Sequence, residues 1–188
     1  MARNSEAVLV IDMLNDFVTG KLRCERADRI IPNLIRFLSE ARKMEVPVIY
    51  SSDAHLKEDF ELRVWGEHAM KGTNGAEVIP ELKPELTDYV FEKRTYSAFF
   101  ETGLDQLLRS LAVTKLYITG LHTNICDRHT SADAFFRGYD LVIVADGVEA
   151  FDEKAHTEGL DYLRTNYKAE IRTVEEVIES WQRQPAEV

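Results

Sequence analysis

The chain has 188 residues, 45% of them apolar, enough for one substantial core, and it reads as a single domain over residues 1–188. Its formal net charge of -10 leaves no basic face to neutralise phosphates, which argues against nucleic acid as a partner. The first apolar run, Ala7 to Ile11, stops at Asp12 and is too short for a signal segment or a membrane span, so a soluble cytoplasmic protein is expected.

Ala7 to Ile11 (AVLVI) is a continuous apolar run, the pattern of a strand buried on both faces of a parallel sheet. Asp12 follows it, as a turn cap or as a chemical group. Ile30, Ile31, Leu34, Ile35, Leu38 and Ala41 then recur at helical spacing, and Val46 to Tyr50 returns to strand character, completing a βαβ unit. Ser51 to Gly75 is polar and irregular; it carries Asp53, His55, Trp65 and His68, and a loop of this length is usually functional or disordered.

Tyr89 to Phe91 reads as a short third strand ending at Lys93, followed by the aromatic stretch Tyr96 to Phe100 and a helix from about Gly103 to Leu111. Leu116 to Thr119 is a fourth strand; a helix containing Cys126 runs to about Arg137 and stops at Gly138. Leu141 to Ala145, a helix from Glu153 to Asn166, a strand near Glu170 to Thr173 and a helix through Trp181 complete the chain. Strands alternating with helices imply a parallel sheet with helices on both faces and a ligand crevice outside the carboxyl ends of the strands.

Asp12, Asp53, His55, Lys93 and Cys126 all fall at the ends of predicted strands, so reactive side chains converge there. Cys126 has two readings: a small buried hydrophobe, or a nucleophile whose thiolate is favoured by the amino end of its helix. Cleavage of an amide by a thiol needs a base, donors for the oxyanion and an acid for the leaving amine, and Asp12, Lys93 and the amides of the Cys126 turn can fill those roles. Asp53, His55 and His68 supply one carboxylate and two imidazoles, a donor set for Zn, Fe or Mn or ordinary loop residues. Cys24 and Cys126 lack CxxC spacing and are expected as reduced thiols; Cys24, His129 and His156 read as structural.

The segments VLVIDMLNDF (8–17), SSDAH (51–55), VWGEHAMKGTNGAE (64–77), FEKRTYSAFFETGL (91–104) and TGLHTNICDRHTSADAFFRGY (119–139) together resemble the isochorismatase-like cysteine hydrolases, and within them the nicotinamidases. The resemblance implies a three-layer α/β fold with a six-stranded, mostly parallel sheet in Rossmann-like order. It carries a catalytic trio onto Asp12, Lys93 and Cys126, and an oxyanion hole onto the N–H groups of His122 and Cys126, with a cis peptide between Leu121 and His122. It further implies a divalent metal at Asp53, His55 and His68, with Glu61 at the spacing of a fourth ligand, and substrate contacts at Phe17, Trp65 and Tyr96. The implied reaction is hydrolysis of a small carboxamide, nicotinamide to nicotinate and ammonia, in a homo-oligomer; hydrolysis of an N-carbamoyl or ureido compound, or a binding role on a retained fold, are the alternatives. Asp127 departs from the apolar residue that usually follows the cysteine, and an anion there raises the thiol pKa unless it points away or pairs with Arg128.

Overall fold

A computed structural model describes residues 5–183. Its strands are β1 (Glu6–Ile11), β2 (Val48–Asp53), β3 (Tyr89–Lys93), β4 (Lys115–Leu121), β5 (Asp140–Glu149) and β6 (Glu170–Arg172). The helices are α1 (Asn15–Val18), α2 (Ile31–Lys43), α3 (Leu62–Trp65), α4 (Leu104–Ser110), α5 (Cys126–Phe136), α6 (Glu153–Tyr167) and α7 (Val174–Arg183).

The six strands form one all-parallel sheet in the order β3-β2-β1-β4-β5-β6. Each residue of β1 is buried, as the unbroken apolar run requires of a central strand. Its side chains alternate between two cores: Val8 and Val10 meet Leu34, Phe37, Leu38 and Ala41 of α2 and Val177, Ile178 and Trp181 of α7. Ala7, Leu9 and Ile11 face Leu104 and Leu108 of α4, Ala134 of α5 and Leu163 of α6. Helices therefore cover both faces, as the sequence pattern predicts. No helix among the described residues is long and apolar enough to cross a membrane.

The strand order reverses between β1 and β4, which opens a crevice beyond their carboxyl ends. Two features of the strands shape it. Asp53 and Lys93 are the last residues of β2 and β3, in register with each other, so their positions are set by the ladder. β5 continues well past Ala145: Asp146 and Gly147 suggest a turn, but after a register shift Val148 and Glu149 pair with Gly120 and Leu121. That extension delivers Phe151 to the crevice.

α5 has an unusual inward face. Cys126, Asp127, Thr130, Ser131 and Ala134 are its buried residues, so the helix turns polar groups toward the sheet, where an ordinary amphipathic helix turns an apolar stripe. Arg137 caps it, and Gly138 at φ 80° ends it in the expected position.

Candidate active site

Asp12 follows β1 in a left-handed conformation, φ 51°, and its side chain is buried at the strand end. Lys93 lies within 2.6 Å of Asp12 Oδ2 and within 2.6 Å of Asp53 Oδ1, and its Nζ stands 3.8 Å from Cys126 Sγ. The Asp53 backbone N–H also donates to Asp12 Oδ1 at 2.8 Å, which fixes the Asp12 carboxylate from the neighbouring strand. Three strand ends and one helix start thus bring the predicted trio together, with Asp53 as a fourth member.

The buried charges divide the protons unevenly. Burial, followed by the negative charge of Asp53, pushes the Asp12 carboxyl up to about 7 against the pull of Lys93. Burial opposes the charge of Lys93, but Asp12 and Asp53 overcome it, so the amine stays an ammonium. Burial also pushes the Cys126 thiol well above its usual range, with Lys93 opposing and Asp12 adding to the rise. The amino end of α5 favours the thiolate, but it does not compensate for removing the sulfur from water. The group at rest is a thiol facing a base.

Leu121 to His122 is a cis peptide, as the resemblance implies. In the turn that follows, the amides of Ile125 and Asp127 both donate to the His122 carbonyl, at 2.8 and 3.2 Å. Among the backbone hydrogen bonds of the described residues outside the helices and strands, none is donated by the N–H of His122 or Cys126.

A narrow pocket opens on Cys126. Phe17, Trp65 and Tyr96 line it as expected, with the Trp65 indole donating to the Tyr96 hydroxyl at 3.0 Å. Sequence reasoning missed Leu22, Ile125, Phe151 and the ring of His122 as walls. The His122 and Phe151 rings stack at 4.1 Å, and burial holds the imidazole down to about 3, so it is a neutral aromatic surface. His129, read as structural, stacks on Tyr96 at 5.3 Å and backs that wall.

Beside this cavity Asp53, His55, Glu61 and His68 each offer a buried donor atom, all within 4.8 Å of one another. His55 Nε2 lies 3.6 Å from Asp53 Oδ2 and 3.8 Å from Glu61 Oε1, too far for hydrogen bonds. Among the described residues, Asp53 Oδ2, His55 Nε2 and Glu61 Oε2 find no hydrogen-bond partner. Donors bound to one ion at about 2.0–2.2 Å stand about 3–4 Å apart, so these spacings fit a shared cation. Burial disfavours a charged His55, yet the surrounding carboxylates favour it, and the same field favours a cation at the centre. Asp12, Asp53 and Cys126 also come close together, but Lys93 already supplies the positive charge there.

An isochorismatase domain model matches residues 6–176. The chain belongs to the isochorismatase family. It is 33% identical over 167 residues to a probable inactive nicotinamidase of Arabidopsis thaliana, covering 82% of this chain and 85% of that one. Among solved structures, N-carbamoylsarcosine amidase from Thermoplasma acidophilum shares 37% identity at a TM-score of 0.86, covering 90% of this chain and 96% of that one. The nicotinamidase PncA from Bacillus subtilis shares 29% at 0.85, covering 90% and 99%. A pyrazinamidase of Pyrococcus horikoshii in complex with zinc shares 25% at 0.85, also covering 90% and 99%.

Within this isochorismatase frame, Asp127 is the departure that the structure resolves. It is fully buried, both carboxyl oxygens lack partners among the described residues, and Arg128 lies 3.5 Å over the Tyr162 ring. Burial, then the charge of Asp12, pushes its carboxyl well above the usual range, so Asp127 is a neutral acid and adds no anion beside the thiol.

Proposed function

We propose that the chain is a cysteine-dependent amidohydrolase that cleaves a small aromatic carboxamide, best represented by nicotinamide, to the acid and ammonia. The observation that carries this reading is Lys93 bridging Asp12 and Asp53 beside the Cys126 thiol, at the floor of an aromatic-walled cavity. Asp12 takes the thiol proton as sulfur attacks the amide carbon, and the oxyanion is received by the N–H groups of His122 and Cys126. Asp12 then returns that proton to the amine, the C–N bond breaks, ammonia leaves and a thioester remains on Cys126. A water loses its proton to Asp12 and attacks the thioester, the C–S bond breaks, and Asp12 reprotonates the sulfur. Lys93 stays charged throughout and holds the two carboxylates in place.

Asp53, His55, Glu61 and His68 would hold a divalent metal, Zn, Fe or Mn, which when bound supplies a Lewis acid for the ring nitrogen of the substrate. Phe17, His122 and Phe151 favour a flat ring at the same place; Phe17 meets His122 edge-on at 5.6 Å. A second reading, hydrolysis of an N-carbamoyl compound, is favoured by the 37% identity to N-carbamoylsarcosine amidase.

Ammonia release from nicotinamide and from N-carbamoylsarcosine, assayed side by side on metal-loaded protein, separates the two. Turnover of nicotinamide is expected; turnover of the carbamoyl compound alone would replace the substrate and retain the chemistry. Cys126→Ala is expected to lower the rate by at least about 10⁴-fold, and retention of most of it would exclude the thioester.

A further inference from the structure

We propose that Asp59, clamped by Arg94, is the positioning residue of the candidate metal centre, fixing the His55 ring so that Nε2 faces Asp53, Glu61 and His68. The inference rests on the metal reading above and extends it to two residues outside the donor set.

Asp59 sits in the loop after β2, yet its side chain is only 3% exposed. Both its oxygens are engaged. Oδ2 accepts from the Leu56 N–H at 2.9 Å and meets His55 Nδ1 at 3.1 Å. Oδ1 accepts from Arg94 Nε at 2.9 Å and from Arg94 Nη2. An ionised carboxylate can only accept, so the His55 proton sits on Nδ1 and Nε2 is left with its lone pair. That Nε2 is one of the buried atoms that find no hydrogen-bond partner among the described residues, and it lies 3.6 Å from Asp53 Oδ2 and 3.8 Å from Glu61 Oε1. His68 is arranged in the same way: its Nδ1 meets the Gly66 carbonyl oxygen at 2.8 Å, which leaves Nε2 available.

Arg94 directly follows Lys93, so the clamp ties the loop carrying the donors to the strand carrying the lysine. A plain loop staple would need Arg94 and Asp59 alone. The division of the carboxylate, one oxygen to the guanidinium and the other to the imidazole, is the arrangement that orients a metal-binding histidine and raises its basicity.

The test is the Zn²⁺ dissociation constant of the metal-stripped full chain, measured by competition with a chromogenic chelator, for the parent, Asp59→Ala and Arg94→Gln. Asp59→Ala is expected to weaken zinc roughly 10–100-fold, and Arg94→Gln to act in the same direction by at least about threefold. Asp59→Glu should recover part of the affinity, which a simple packing role would not predict. Arg94 has a half-exposed side chain, so its variant reports even where Asp59→Ala fails to fold. Both variants binding zinc within about twofold of the parent would overturn the positioning role. A parent chain that takes up no zinc would overturn the metal reading itself, and the parent measurement shows that separately.

Discussion

Asp127 stores a carboxylic acid where ionisation is most costly. Below about pH 4 the residue is protonated in both the folded and the unfolded chain, and its acidity does not bias folding. Above that pH the unfolded chain releases the proton while the folded chain, in which burial raises the pKa, retains it. Stability contributed by this proton is therefore lost as pH rises toward the folded pKa, by at most about 1.4 kcal/mol per pH unit. Asp127→Asn keeps the shape and removes the titration. Its stability relative to the parent is expected to improve as pH rises from about 4 toward the raised folded pKa, read by urea denaturation across that range. A difference that does not change with pH would mean that Asp127 is ionised in the fold.

At the scale of elements, the site depends on how closely β4 approaches β1. Gly120 has φ 110°, and a Cβ built there would stand 1.9 Å from the Ile11 carbonyl oxygen. Ile11 precedes Asp12, and Gly120 precedes the Leu121 to Cys126 turn, so this contact sets the spacing between base and nucleophile. Gly120→Ala is expected to cost roughly 3–5 kcal/mol, and any fraction that folds should lose activity because the strand ends are forced apart. Urea denaturation with an ammonia-release assay on the folded fraction checks both; a fully active variant of parental stability would show that β4 can shift. The strand ends were legible in the sequence because AVLVI stops at Asp12, the runs Val46 to Tyr50 and Tyr89 to Phe91 end shortly before Asp53 and Lys93, and a parallel sheet must bring such ends to one edge. Glu61 and His68 were legible only through the family pattern, since nothing local distinguishes them from loop residues. Phe151 was not legible, because its placement follows from strand pairing that resumes past the Asp146–Gly147 turn signal. Nor was the protonation state of Cys126, which burial decides and local helix geometry does not.

For the whole molecule, the consequence of the metal reading is thermodynamic. Asp53 and His55 belong to the end of β2 and the residues just after it, whereas Glu61 and His68 belong to the long excursion before β3. A cation held by all four would join that excursion to the sheet, and an unfolded chain would not preserve the arrangement. At a free metal concentration about 100 times the dissociation constant, linkage gives about 2.7 kcal/mol of stabilisation. For a chain of 188 residues that corresponds to about 5–10 °C in melting temperature. Scanning calorimetry of the full chain, with zinc and then with excess chelator, should show a fall of that size. In His68→Ala the same chelator should produce a much smaller shift, because one of the four donors is gone and the remaining site binds more weakly. Equal melting temperatures for the parent chain with and without metal would mean that these four buried groups do not hold a cation in solution.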